Sequence, residues 1–190
     1  MSRIGHNHGP DFGGGVSWRR HCWKKARAEL LPHLPIEVLR GRVRRARELG
    51  LDYTTYASVR ASTGRDVVGF LFSSNALRMF LDQRKLPENR VKKLTSLKGC
   101  ARIALISAPL KPADIRDANP GAPLTMRAAP QAFEKWPATR ALVLQALASE
   151  KLPSDGVLLV GDTIFEREWS EAGRLAGYLG ADRYFEALPA

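Results

Sequence analysis

A chain of 190 residues with 44% hydrophobic content is long enough to bury one domain core, which excludes a wholly disordered protein. The formal net charge of +11 is unevenly placed: residues 1–100 carry 20 Lys and Arg against 8 Asp and Glu, whereas residues 101–190 carry 10 against 11. No stretch reaches the roughly 18 apolar residues of a membrane span; the first residues are polar and glycine-rich where a secretory signal needs an apolar region; and Cys22 and Cys100 lack CxxC spacing. The expectation is a cytoplasmic protein without a disulfide framework.

Residues 1–16 hold Gly5, Gly9, Pro10, Gly13, Gly14 and Gly15 without apolar periodicity, and read as a flexible tail. Ser17 can cap a helix to about Leu31, in which Trp18, Cys22, Ala26 and Leu30 recur every fourth residue and Pro32 supplies the stop. A second helix starts at Pro35, aligns Ile36, Leu39, Val43 and Ala46, and ends at Gly50. A third begins after Asp52 and ends at Gly64. Arginines and lysines crowd the other faces, so residues 17–64 form a basic helical segment.

From residue 65 the pattern changes. "DVVGFLFS", "RIALIS" and "GVLLVG" are short apolar runs, each too short for a helix, and predict three buried strands. Helices are expected in "NALRMFLDQR" and "ENRVKKLTSLK" between the first two strands, from about Ala138 to Glu150, and from the capping box "TIFE" to about Tyr178. Residues 108–137 are dense in proline and read as a long loop, of the kind that serves as a lid or binding segment. The predicted fold is α/β: a small, mainly parallel, three-stranded sheet with flanking helices over residues 65–190, preceded by the basic helical part, all in one folded unit.

Several constellations carry possible chemistry. His6 and His8 point to one side of an extended segment and, with His21 or Cys22, offer up to three good metal ligands, to which Asp11 could be added, though no standard zinc spacing is matched. Ala46, Gly50, Tyr56 and Val59 resemble a helix-turn-helix in their spacing. That would turn Thr54, Thr55, Ser58 and Arg60 toward DNA; a plain helical hairpin with a glycine cap explains the same pattern. "WRRHCWKKAR" interleaves Trp18 and Trp23 with cations able to reach phosphates. At the expected strand ends lie Ser73, Ser74, Asn75, Ser107, Asp162 and Thr163, where parallel sheets collect ligands, with Glu166 and Glu168 nearby as magnesium candidates. No Walker loop, GxGxxG or DxD motif accompanies them, and no cofactor is indicated.

The reading ranked first is a nucleic-acid-associated protein that meets phosphate backbones, RNA or DNA, through Arg19, Arg20, Lys24, Lys25, Arg40, Arg44, Arg45, Arg47 and Arg60. An alternative is an enzyme acting on a phosphorylated or nucleotide-like substrate, with Asp162, Ser73 and Ser107 lining a pocket at the strand ends. A further alternative is an adaptor that receives an acidic protein partner on the same basic surface.

Overall fold

The computed structural model describes residues 35–186. The chain divides into two compact units, residues 1–39 and 40–190, and of the first only residues 35–39 are described. The expected tail, the first basic helix and the candidate groups His6, His8, His21, Arg19, Arg20, Lys24 and Lys25 therefore lie outside the described residues.

The elements run α1 (Ile36–Glu48), α2 (Tyr53–Thr63), β1 (Gly69–Ser73), α3 (Glu88–Ser96), β2 (Ala101–Ile106), α4 (Pro112–Ala118) and β3 (Thr125–Ala128). They continue with α5 (Trp136–Ala148), β4 (Val157–Gly161), α6 (Ile164–Gly173), β5 (Gly177–Gly180) and α7 (Ala181–Glu186). All strand pairs are parallel and the sheet order is β3-β2-β1-β4-β5. The fold is α/β with a parallel sheet and flanking helices, as the sequence predicts, but the sheet has five strands rather than three. The two extra strands are short edge strands hidden in other signals. β3 and α4 lie within the proline-rich 108–137 stretch, so that stretch is not a structureless loop. β5 occupies "GYLG", where the last helix was expected to continue; α6 stops at Gly173 instead, with Arg174 in a left-handed cap at φ 51°. The predicted helix in "NALRMFLDQR" is absent: residues 74–78 form a turn.

Alternation along each strand divides the core between two layers. Phe70 and Phe72 of β1, Ala104 and Ile106 of β2, and Leu158 and Val160 of β4 pack toward α1 to α4 and α7. Leu71, Ile103, Leu105, Val157 and Leu159 face α5 and α6. Phe70, Leu71 and Phe72 are all fully buried. Each contributes about 1.5–3 kcal/mol on transfer from water, so β1 is the spine of both layers. Phe70 and Phe72 stack at 5.7 Å between ring centres, and Tyr184 of α7 closes on both at 5.3 and 5.8 Å.

Capping follows the sequence closely. The Asp52 carboxylate accepts from the Thr55 amide at 2.8 Å and from the Thr55 hydroxyl at 2.6 Å, and Gly64 ends α2 at φ 72°. Partial burial acts to raise the pKa of Asp52, but the Thr55 hydrogen bonds and the charge of Arg183 hold it below the usual carboxylate value. Asp52→Ala should cost about 1 kcal/mol at neutral pH. A depressed carboxylate stabilises fully above its unfolded pKa and loses that contribution as pH falls through the folded value. Urea titrations of wild type and variant should therefore converge in acid and differ at pH 7.

Candidate functional site

The strand order places the switch point of the sheet between β1 and β4. The chain leaves β1 toward β2 and α3 on one face of the sheet, and leaves β4 toward α6 and β5 on the other. Where neighbouring parallel strands send their connections to opposite faces, a gap opens beyond their carboxyl ends. The residues bordering it are Ser73 to Arg78 after β1 and Asp162 to Glu166 after β4.

The β1 side is a tight turn closed by its own polar groups. Ser73 is fully buried and its hydroxyl accepts from the Ala76 amide at 3.0 Å. The Ser74 hydroxyl accepts from the Ser107 amide at 3.2 Å, joining the ends of β1 and β2. Arg78 ends the turn at φ 56°, in the left-handed region that non-glycine residues occupy at a cost of roughly 1 kcal/mol or more. From there its guanidinium reaches across, donating to Asp162 at 2.7 Å and to Asp182 at the start of α7 at 3.0 Å.

The β4 side is organised by Glu166, which is 1% exposed. Its Oε2 accepts from the backbone amides of Asp162 and Thr163, and its Oε1 accepts from Asn75 Nδ2 at 2.9 Å across the crevice. The Thr163 hydroxyl completes the predicted capping box. Gly161 is required beneath it: a Cβ there would lie 2.7 Å from the Tyr178 ring and 2.9 Å from the Glu166 carboxylate. The Asp162 and Thr163 amides that precede α6 are thus already taken by a carboxylate of the chain itself. Glu168 is exposed on α6, away from this arrangement. Among the described residues no group of three or more His, Cys, Asp or Glu is placed to hold a metal ion.

One crevice group was missed by sequence reasoning. Arg90, in the first turn of α3, is 3% exposed, and its Nε and Nη1 atoms are buried without a hydrogen-bond partner. Its guanidinium lies 3.9 Å over the Phe185 ring. Burial and the neighbouring Arg78 charge disfavour its charged form, with the carboxylates of Glu186, Asp182 and Asp162 opposing them. An arginine stays protonated nonetheless, so the result is a buried cation with unused donors. Its spacing from Leu94 and Leu97, four and seven residues, placed it on the apolar stripe of "ENRVKKLTSLK"; that was the available signal. On the α6 side the rim is apolar: Ile164 and Phe165 are exposed, and Phe133 meets Phe165 edge-on at 5.1 Å between ring centres.

Comparison with family models, with curated proteins and with solved structures finds no match for this chain. The residues alone carry the functional reading.

The structure brings Ser73, Ser107 and Asp162 to one end of the sheet, around β1, β2 and β4. The described basic candidates are dispersed. Arg40, Arg44 and Arg47 are exposed on α1. Arg60 is half-buried beside the Tyr56 hydroxyl. Arg45 is turned into the fold, with its donors on Asp66, Glu48 and the carbonyls of Val67, Lys98 and Gly99. In the α1–α2 hairpin Ala46 and Tyr56 are buried, and Thr55 is held by Asp52 and Arg183 rather than presented outward. A depression of about 400 Å³ runs along α6 and β5; residues of β1 and β4 do not line it. No helix among the described residues is long and apolar enough to cross a membrane.

Proposed function

We propose that the protein binds a phosphorylated, nucleotide-like small molecule in the crevice between the carboxyl ends of β1 and β4. The observation that carries this reading is the change of winding direction between the parallel strands β1 and β4, whose ends Arg78 bridges through Asp162, with Ser73 and Ser107 at the same end of the sheet. The exposed Phe165 and Phe133 rings on its rim suit a flat base, since aromatic pairs at this spacing add about 0.5–1.5 kcal/mol beyond area burial. These contacts suit binding rather than catalysis. The Ser73 hydroxyl is buried on the Ala76 amide, a poor position for a nucleophile, and Asp162 is committed to Arg78.

Isothermal titration with nucleoside 5′-monophosphates, the matching nucleosides and sugar phosphates tests it. Monophosphates should bind at least tenfold more tightly than nucleosides. Phe165→Ala should weaken the monophosphates about threefold to tenfold and leave sugar phosphates unchanged. Equal binding of nucleosides, or no binding of any phosphorylated compound, would sink the reading.

A second reading, association with nucleic acid, is favoured by the charge division along the chain and by the exposure of Arg44 and Arg47 on one helix. Arg40 and the basic residues before residue 35 add to that charge in the sequence; an acidic protein partner would use the same groups. Labelled RNA and DNA titrated across salt distinguish these partners. Arg44→Glu with Arg47→Glu should reduce the salt slope by about 2 if both reach phosphates. An unchanged slope removes the reading.

A further inference from the structure

We propose that Arg90 is the seat of a phosphate group at the β1/β4 crevice, receiving the phosphate monoester end of the ligand on its unused Nε–H and Nη1–H donors. The inference rests on the reading of that crevice as the binding site and deepens it by naming the recognising residue and the chemical group.

Two independent observations meet here. The first is topological: the strand order puts the switch point of the sheet, beyond which parallel sheets collect ligands, between β1 and β4. The second is an imbalance in the hydrogen bonding of this chain. Buried polar groups in folded proteins are almost always paired, and buried charges more strictly still. Arg90 alone among the described residues has buried side-chain nitrogens without a partner. Every other charged group at this end is accounted for or exposed. Arg78 is held by Asp162 and Asp182, Glu166 by backbone amides and Asn75, and Glu186 is exposed.

The geometry fits an oxyanion. A guanidinium is planar, permanently charged and suited to oxygen atoms of phosphate or carboxylate. Its stacking on Phe185 spends one face of the group, while the Nε–H and Nη1–H donors in its plane are unpaired and enclosed by protein, so a phosphate reaches them as the side chains around them move aside. Arg90 lies within electrostatic range of Arg78, so an incoming phosphate would meet a second cation. Arg78 in turn has Asp162 and Asp182 as alternatives, and can share itself between them and a ligand. The Asp162 and Thr163 amides on the opposite wall cannot compete, because the Glu166 carboxylate already holds them.

The test uses the full-length chain labelled with ¹⁵N, and inorganic phosphate as the probe against chloride of equal ionic strength. The Arg90 Nε–H signal, assigned by its loss in Arg90→Met, should move saturably with phosphate. Thermal unfolding should shift upward with phosphate in wild type and not in the variant, with affinity about tenfold to hundredfold lower. Without phosphate, Arg90→Met should unfold at a higher temperature than wild type, since an apolar side chain replaces an unpaired buried cation. Should Arg90→Met not fold, Arg90→Lys serves: it keeps the charge and loses the planar fork, and its phosphate response should fall between the two. An unmoved Arg90 signal overturns the proposal, as does a phosphate response retained in Arg90→Met. An equal response to acetate also overturns it, assigning the seat to a carboxylate. If nucleoside monophosphates bind while the Arg90 signal stays still, the crevice reading survives without this residue. If phosphate moves Arg90 and nucleotides do not bind, the seat stands and the nucleotide-like ligand falls.

Discussion

Replacing Arg45 with alanine should lower the unfolding free energy by about 3 kcal/mol, more than alanine at any other arginine of α1. Arg45 is one turn from the end of that helix, yet its contacts lie elsewhere in the chain. Nε donates to Asp66 at 2.9 Å just before β1, and Nη2 donates to the Val67 carbonyl at 3.0 Å and to the Gly99 carbonyl at 2.9 Å. Nη1 reaches Lys98 O at 3.0 Å and Glu48 at 3.3 Å. One planar group thereby ties α1 to the segments that enter β1 and β2.

Truncation leaves the Asp66 carboxylate with only the Tyr56 hydroxyl and the Val67 amide, and leaves a half-buried carbonyl unpaired. The Asp66 pair is partly exposed, with side-chain exposures of 19% and 35%, and the Lys98 and Gly99 carbonyls are near solvent. The expected loss is therefore well below the sum of five charged hydrogen bonds. Lysine carries the charge but not the fork, and Arg45→Lys should recover less than half. Arg44→Ala, one residue away and exposed, should stay within about 0.5 kcal/mol of wild type. Urea denaturation of the three variants measures all of this. Equal effects at 44 and 45 would show that Arg45 serves the surface and not the fold.

That contrast shows where the sequence was readable and where it was not. Composition placed Arg44, Arg45 and Arg47 in one class, because helical periodicity describes direction from an axis and says nothing of partners 21 to 54 residues away. Caps and continuous apolar runs were reliable: the Asp52 and Thr163 caps, Gly64 as a stop, and the three interior strands all follow from them, whereas the apolar spacing of "NALRMFLDQR" was not, since a turn stands there. β3 and β5 were hidden because edge strands need only one buried face. In β3 only Met126 is buried, and in β5 only Leu179, so neither forms an apolar run. The site divided in the same way. Ser73, Ser107 and Asp162 were visible as strand-end residues; Arg78 and Arg90 were not, since their meaning depends on which strands lie side by side.

Removing the carboxylate of Glu166 should be nearly as costly, at about 3 kcal/mol for Glu166→Ala, and the damage should be confined to the crevice. The side chain is fully enclosed and accepts three hydrogen bonds, two from the Asp162 and Thr163 amides and one from Asn75. Alanine strands both amides at the start of α6 and frees the Asn75 side chain, cutting the polar tie between the β1 and β4 loops. Glutamine is the informative comparison. Its single carbonyl oxygen can still accept from the two amides, and its NH₂ then faces Asn75, whose amide can rotate to present oxygen. Glu166→Gln should therefore lose only about 1–2 kcal/mol, chiefly the extra strength of a charged acceptor. Hydrogen exchange separates local from global effects. In Glu166→Ala the Asp162 and Thr163 amides should exchange far faster, while the β4 amides from Val157 to Val160 should follow only the fall in global stability. Uniform acceleration through β4 would mean that Glu166 supports the sheet as a whole. Acceleration of residues 162 and 163 beyond that global fall would mean that it holds the two walls of the crevice in register, the condition under which Arg78 can span them.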